Sequence, residues 1–303
     1  MKVGIQTAGI LDRFGCEEGF KLLHETGFDC VDFGLDVFFP NPTESYKEHK
    51  TIFDKPVEEV VEFFRPYKEA ADRWGVSIYQ AHAPFATYTR LDPAANEYIL
   101  EAMDKCAAVC RMFECRYLVV HPAFNAYNER MEYDDEWNLN IERYSKMIPA
   151  LKKYDVIACL ENMFTARGGK VYEAICSDMN EAAAYIDELN EIAGEKRFAF
   201  CYDTGHGLLL GRDPYGSLLQ IGDRVEALHI HDNNGMDDQH ITAYMGKLDW
   251  NRFIRGLKAI HYQGALCFES SNTARMFDPE LTPEVLRLTS ATGRMFARRI
   301  AEE

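Results

Sequence analysis

Short apolar runs alternate along this chain with longer segments in which apolar residues recur every three or four positions. Apolar runs of this length that are bounded by turn residues are typical of buried β-strands. The pattern predicts strands at Val3–Ala8, Cys30–Leu35, Val76–His82, Tyr117–His121, Val156–Glu161, Phe198–Asp203, Val225–His231 and Ala265–Glu269.

Helical periodicity fills the segments between these runs. In Val57–Trp74, for example, Val57, Val60, Val61 and Phe64 share one face of a helix. The same spacing predicts helices at Ala95–Phe113, Asn138–Lys153, Ser177–Ala193, Trp250–Ile260 and Pro283–Ala301.

The strand–helix alternation predicts an α/β fold, namely a (β/α)8 TIM barrel that spans residues 1–303 as a single domain. A doubly wound open sheet is the alternative. That fold would need a glycine-rich phosphate loop after the first strand, and the segment from Gly4 to Gly9 matches such a loop poorly. The barrel is therefore the preferred prediction.

Six of the predicted strands end on a histidine or a carboxylate. Parallel barrel strands bring their C-terminal ends to one face, so we expect these side chains to converge. The residue two positions earlier in each strand should also point into the barrel, and five of those six are small or apolar. The candidate residues are His82, His121, Glu161, Asp203, His229 and Glu269, of which His229 lies two positions before the end of its predicted strand. The residues beneath them are Gln80, Val119, Cys159, Cys201, Ala227 and Cys267.

Glu161, Asp203, His229 and Glu269 are the candidate metal ligands. One strand-end carboxylate could simply form hydrogen bonds within the barrel. Three acids gathered without a cation would repel one another strongly, however. Mixed nitrogen and oxygen ligands suit one divalent cation; we expect manganese first, with cobalt, zinc, iron or magnesium as alternatives.

Further polar residues are expected at the same rim. They could bind substrate hydroxyls, move protons or hold additional metal, although a histidine at a strand end often has only a structural role. These candidate substrate-binding residues are His82, His121, His206, His231, Asp238 and His240, whereas His24, His49 and His261 are expected at the surface or in packing.

The net charge of the chain limits the kinds of binding partner that we expect. The chain has 33 Lys and Arg against 49 Asp and Glu, a net charge of −16, so it should repel nucleic-acid backbones. We found neither a signal peptide nor an apolar run long enough for a membrane span, and the cysteines lack metal-finger spacing. These features favour a cytoplasmic protein with reduced thiols. The aromatic segment Asp36–Lys55 is a candidate lid or subunit contact, or else a loop packed on its own rings.

Nearly the whole chain resembles the xylose isomerase-like barrel superfamily, which includes sugar isomerases, ketose 3-epimerases and endonuclease IV, and the resemblance is most specific from Cys201 to Trp250. The resemblance lies in Asp-Thr-Gly-His ending at His206, in His229-Ile-His-Asp-Asn, in Asp238-Gln-His and in Gly246 before Asp249-Trp. It implies that the four candidate ligands bind one divalent cation, and that His229 rather than His231 is the histidine ligand. It also implies a sugar or polyol substrate, proton transfer by Glu161 and Glu269, and the capacity to form homo-oligomers.

Two departures alter the expected substrate contacts. The ketose 3-epimerases that this chain resembles place an acid where Arg167 stands and an arginine where Gly235 stands. A lyase or dehydratase acting on a keto-sugar, inosose or keto-glycoside would use the same first proton abstraction, and a non-catalytic metal-bound scaffold is a third reading. The three-zinc site of endonuclease IV is similar at His82, His121, Glu161, Asp203, His206, His229, Asp238, His240 and Glu269, but the negative charge argues against DNA.

Overall fold

The computed structural model describes residues 1–39, 51–85, 88, 92–123 and 130–302. Ten strands occur in these ranges, and eight of them form one parallel sheet. The other two form an antiparallel hairpin. The strands are β1 (Val3–Gln6), β2 (Cys30–Gly34), β3 (Ser77–His82), β4 (Tyr117–Val120), β5 (Ile157–Glu161), β6 (Phe164–Arg167), β7 (Lys170–Glu173), β8 (Phe198–Asp203), β9 (Val225–His229) and β10 (Leu266–Phe268).

The parallel sheet closes nearly completely on itself. Its strand order is β10-β1-β2-β3-β4-β5-β8-β9, so the last strand returns to pair with the first. Between β9 and β10, the amide of Ile230 donates to Cys267 O over 2.9 Å and the amide of Glu269 donates to Ile230 O over 3.0 Å. The predicted single-domain TIM barrel is confirmed, and the open-sheet alternative is wrong.

Helices cover the outside of the barrel. The predicted helix Val57–Trp74 has the same bounds in the structure. The predicted helix Asn138–Lys153 is wrong as one element, because the helix is interrupted between Ser145 and Ile148. Pro149 has no amide hydrogen and therefore cannot continue the helical hydrogen bonds. The helices are α1 (Leu11–Phe14), α2 (Cys16–Glu25), α3 (Val57–Trp74), α4 (Pro93–Phe113), α5 (Tyr133–Ser145), α6 (Ile148–Tyr154), α7 (Met179–Ala193), α8 (Thr204–Leu209), α9 (Pro214–Ile221), α10 (Trp250–Ala259), α11 (Ser271–Arg275) and α12 (Thr282–Ala301).

Small side chains fill the barrel interior below the strand ends. Val119, Cys159, Cys201 and Ala227 pack together there, as the alternation of the strands predicted. On the other side, a Cβ atom added to Gly4 would lie 2.8 Å from Cys30 Sγ and 3.0 Å from Cys267 Sγ. The packed side chains of this layer lie directly beneath the polar groups at the strand ends. All nine cysteines of the chain are free thiols.

The aromatic segment Asp36–Lys55 is described only at its two ends. Phe39 packs against Phe53 and Tyr98 there, with ring centroids 5.8 and 5.4 Å apart. The predicted lid centres on residues 40–50, which lie outside the described residues, as does His49. His24 and His261 are exposed, and no helix in the described ranges is long and apolar enough to cross a bilayer.

Candidate metal centre

Four side chains meet at the C-terminal end of the barrel. Glu161 ends β5, Asp203 ends β8, His229 ends β9 and Glu269 follows β10, and each offers a ligand atom within 4.8 Å of the others. Nδ1 of His229 lies 3.1 Å from Glu161 Oε1, 3.1 Å from Glu269 Oε2 and 3.9 Å from Asp203 Oδ2. These four residues are the candidate ligands that the strand-end pattern predicted to converge.

The chemistry of these donors fits a cation. Oε2 of both Glu161 and Glu269 is buried and accepts no hydrogen bond from the described residues, although an imidazole nitrogen lies 3.1 Å from each of these oxygens. Burial alone would raise the pKa of Glu161, but His229 and His121 outweigh it and hold that pKa well below its usual range. Burial would likewise lower the pKa of His229, which neighbouring anionic groups, including Glu269 and Glu161, instead raise well above normal. The four residues thus place three carboxylates around one imidazole, and a divalent cation would balance this concentration of negative charge.

Two residues that sequence reasoning missed orient these ligands. Asp32 on β2 accepts a hydrogen bond from His229 Nε2 over 2.9 Å and another from Gln80 Nε2 over 3.0 Å. Gln6 on β1 donates to Glu269 Oε1 over 2.8 Å. A carboxylate inside an apolar strand, as in Cys-Val-Asp-Phe-Gly, was the signal that could have identified Asp32.

His82 and His121 approach the centre from β3 and the end of β4. Their Nε2 atoms lie 3.8 and 3.1 Å from Glu161 Oε2. Burial lowers the pKa of His121, whereas at His82 the effect of burial is outweighed by Glu161 and Asp36, and its pKa rises to about 9. These two histidines and Glu161 form a further group with metal-ligand geometry.

A second cluster adjoins the first. His206, His231, Asp238 and His240 each offer a ligand atom within 4.8 Å of the others. Nδ1 of His206 donates to Asn162 O over 2.8 Å and Nδ1 of His240 donates to Glu269 O over 3.1 Å. Because each Nδ1 is hydrogen-bonded to a backbone carbonyl, the Nε2 atoms face the Asp238 carboxylate. The distance to Asp238 Oδ2 is 3.6 Å from His206 and 2.8 Å from His240. Such orientation by outer hydrogen bonds is typical of metal-binding histidines.

His231 joins the two clusters. Its Nε2 lies 3.0 Å from Asp203 Oδ2, and its ring stacks on that of His240 with centroids 4.0 Å apart. Gly205 makes room for this ring, since a Cβ atom there would lie 2.0 Å from His231 Cε1. The glycine of the Asp-Thr-Gly-His turn is therefore required by a close approach.

Asp232 anchors the loop that carries Asp238 and His240. Its carboxylate accepts hydrogen bonds from the Leu248 amide and from Trp250 Nε1, each over 3.0 Å. A Cβ atom on Gly246 would lie 2.3 Å from Asp232 Oδ1. This part of the sequence motif is structural, and it holds two candidate ligands above the barrel.

The clusters open into a cavity of about 410 Å³. Most of its lining is polar, and the apolar part is formed by Phe85, Met163, Phe164 and Ala166. Arg167 and Gly235, the two departures from the ketose 3-epimerases, are not among the lining residues; Arg167 instead stacks over Tyr172, 5.6 Å from its ring centroid. The polar lining consists of Gln6, Asp36, His82, His121, Glu161, Thr165, His206, Asp238, His240 and Glu269.

Comparison with known proteins agrees with this architecture. A family model described as xylose isomerase-like TIM barrel matches residues 20–291. An uncharacterized protein of Methanocaldococcus jannaschii is 28% identical and aligns over 67% of this chain and 68% of its own.

Solved structures are similar over nearly their whole length. The 3-keto-D-glucoside 4-epimerase from E. coli superposes with a TM-score of 0.73 at 17% identity, covering 97% of this chain and 99% of its own. The IOLI protein, solved with a zinc atom, superposes with a TM-score of 0.66 at 15% identity, covering 99% of this chain and 98% of its own. At these identities the likeness concerns the fold.

Proposed function

Because the chain belongs to the xylose isomerase-like TIM-barrel family, we propose that it is a divalent-metal-dependent isomerase or epimerase of a sugar or polyol ketone or aldehyde. The observation that carries this proposal is the pair of buried glutamates, Glu161 and Glu269, each of which has a carboxylate oxygen 3.1 Å from His229 Nδ1. Two carboxylates beside one metal site are suited to removing and returning a proton.

Glu161, Asp203, His229 and Glu269 are the residues that would hold the cation. A divalent ion bound there would polarise a carbonyl oxygen and stabilise the negative charge that develops on it. Manganese remains our first expectation for its identity; zinc, which is present in one neighbour of similar fold, is the main alternative.

The glutamates supply the proton chemistry. One carboxylate oxygen takes the proton from the carbon next to the carbonyl, and the electron pair of that C–H bond moves toward the carbonyl oxygen. The same carboxylate or the opposite one then returns a proton to carbon. Gln6 fixes Oε1 of Glu269 at 2.8 Å, which leaves Oε2 toward the centre. His206, Asp238 and His240 line the same cavity and are suited to binding substrate hydroxyls.

The test is hydrogen exchange at carbon in D2O, followed by NMR, with manganese-loaded protein and a panel of keto-sugars. Exchange that falls at least about 100-fold in Glu269→Gln, with manganese still bound, supports the role of Glu269 as acid or base. Glu280→Gln, at an exposed glutamate, is the matched control. A Glu269→Gln variant that exchanges at the normal rate would remove this residue from the mechanism. Release of a leaving group in the same spectra would instead identify a lyase.

A phosphodiesterase of the endonuclease IV type is the second candidate. The second cluster favours it, because His206, Asp238 and His240 could hold a further cation beside the first centre. The net charge of −16 argues against binding to DNA. Elemental analysis together with an abasic-site duplex tests it, and near three zinc ions per chain with strand cleavage would replace our proposal.

A further inference from the structure

Asp36 is an acidic side chain of the cavity that belongs to neither cluster and that the proposed proton transfer does not use. It lies two residues beyond the end of β2 and lines the same cavity as Glu161 and Glu269. Its Oδ1 atom is buried and accepts no hydrogen bond from the described residues. A buried carboxyl oxygen without a donor is costly, so its presence requires an explanation.

A purely structural role does not account for this side chain. Asp36 begins a short 3₁₀ helix, but the N-cap of that helix is Leu35 and no side chain caps it. Burial raises the pKa of Asp36, and the neighbouring His82 opposes this rise. The nearby carboxylates of Glu269 and Asp32 add to the rise in pKa. No lysine or arginine occurs among the described residues that line the cavity. The carboxyl group is therefore a cost to the fold, as polar groups of functional sites often are.

Asp36 lies across the barrel from the second cluster. In the order of the eight parallel strands, β2 and β8 are four strands apart, which places them on opposite sides of a closed barrel. Asp36 follows β2, His206 follows β8, and both residues line the cavity. A sugar or polyol whose carbonyl faces Glu161 and Glu269 would therefore meet polar groups of the protein at both of its ends.

Gly34 provides the space that the Asp36 carboxyl group occupies. A Cβ atom added to Gly34 would lie 2.8 Å from Asp36 Oδ1. Gly34 also pairs with His82 between β2 and β3, so the carboxyl group lies beside a strand end that belongs to the site. Because the end of a side chain moves more easily than the backbone, alanine at this position would displace the carboxyl group without removing it.

We propose that Asp36 is a specificity-determining residue, which accepts a hydrogen bond from a terminal hydroxyl group of the substrate. Hydroxyl groups are the donors that a sugar or polyol supplies, and a carboxylate is a strong acceptor for them. This inference rests on the proposed function, and it adds to it a residue that recognises the end of the substrate remote from His206.

The probes are D-fructose, D-allulose and D-tagatose, each with its 1-deoxy and 6-deoxy analogues, and the assay is hydrogen exchange in D2O with manganese-loaded protein. Asp36→Ala should raise KM for the parent sugar at least about tenfold and change kcat little. The same substitution should have no further effect with the analogue that lacks the recognised hydroxyl, whereas the loss should persist with the other analogue. Gly34→Ala should reproduce part of the loss. Asp12→Ala, at an exposed aspartate that does not line the cavity, is the matched control.

Calorimetry with metal-loaded Glu269→Gln measures binding of the same compounds without turnover, so the two hypotheses fail separately. Absence of exchange with every sugar overturns the proposed function, and absence of binding as well overturns both. If the added substitution Asp36→Ala leaves binding unchanged, or weakens it by the same factor with every compound, the role of Asp36 alone is overturned. Weaker manganese binding in Asp36→Ala also overturns it, because Asp36 would then act through the metal ligands. Thermal unfolding of each variant separates a lost contact from a lost fold.

Discussion

Asp32 accepts a hydrogen bond from Nε2 of His229 over 2.9 Å, and Nδ1 of the same ring thereby faces Glu161 and Glu269. Asp32 is itself held by Gln80 and is only 1% exposed. With a cation bound the imidazole would be neutral, and the carboxylate would then hold the remaining proton on Nε2, so that the free electron pair of Nδ1 faces the centre. Asp32 is thus a positioning residue for the candidate ligand.

Removal of this carboxylate should weaken metal binding without removing a ligand. We expect Asp32→Ala to raise the dissociation constant for manganese about 10–100-fold, measured by competition with a chelator. Asp32→Asn, which keeps a hydrogen-bond acceptor, should be less affected. The exposed Asp134 provides the control, as Asp134→Ala. Unchanged affinity in Asp32→Ala would show that His229 needs no such partner.

Metal binding should stabilise the folded chain, because the candidate centre depends on four strand ends that meet only in the barrel. At a free manganese concentration of 100 times Kd the gain is about 2.7 kcal/mol. For a chain of 303 residues that corresponds to a rise in Tm of about 4 °C. Calorimetric scans with and without a chelator measure it. The metal-dependent rise in Tm should vanish in Glu161→Ala and persist in the control Glu280→Ala. An equal rise in the two variants would contradict the role of Glu161 as a metal ligand.

The metal-free protein should lose stability as pH rises from about 6.5 to about 9. Burial lowers the pKa of His240, but Glu269 and Asp238 outweigh it and raise that pKa to about 9; the pKa of His82 rises to about 9 as well. A raised pKa in the folded state contributes stability below the unfolded value, and this contribution is lost as pH passes the folded value.

Urea unfolding across this range, with a chelator present, measures the slope. His240→Gln should flatten it, and metal affinity should increase over the same range because protons no longer compete for the histidine nitrogens. A metal-free protein whose free energy of unfolding rises toward pH 9 would contradict these assignments.

Gly205 should tolerate no side chain. In Gly205→Ala the new methyl group would meet His231 at 2.0 Å, and displacement of this buried ring should cost about 1–3 kcal/mol of unfolding free energy. Gly207→Ala lies in the same helix, and its nearest contact is Tyr202 Oη at 3.2 Å, so it is the milder control. Urea unfolding compares the two. Equal stability of both variants would show that His231 can move at little cost.

Much of the fold could be predicted because apolar runs and helical spacing are local signals. Each of the eight predicted strands occurs, although several end one or two residues early. His121, His231 and Glu269 lie just beyond those ends, where side chains leave the ladder to form the site. The helices α1, α2, α8, α9 and α11 were missed, because short helices carry no long periodic pattern.

The site was only partly accessible to sequence reasoning. Strand-end ligands such as Glu161 can be aligned by topology alone. The roles of Asp32 and Gln6 depend on distances across the barrel, because each acts on a residue about 200 or more positions away in the chain. The apolar wall formed by Phe85 and Phe164 likewise depends on which loops meet above the sheet.

His229 and His231 lie two positions apart at the end of one strand, and each belongs to a different cluster. Side chains that are two residues apart share a face, whereas Ile230 between them points to the other side. An insertion or deletion of one residue in β9 would therefore turn both imidazoles away and bring Ile230 to the centre. The pleat of β9 thus couples the two clusters, because a one-residue shift along this strand would disturb both histidines together.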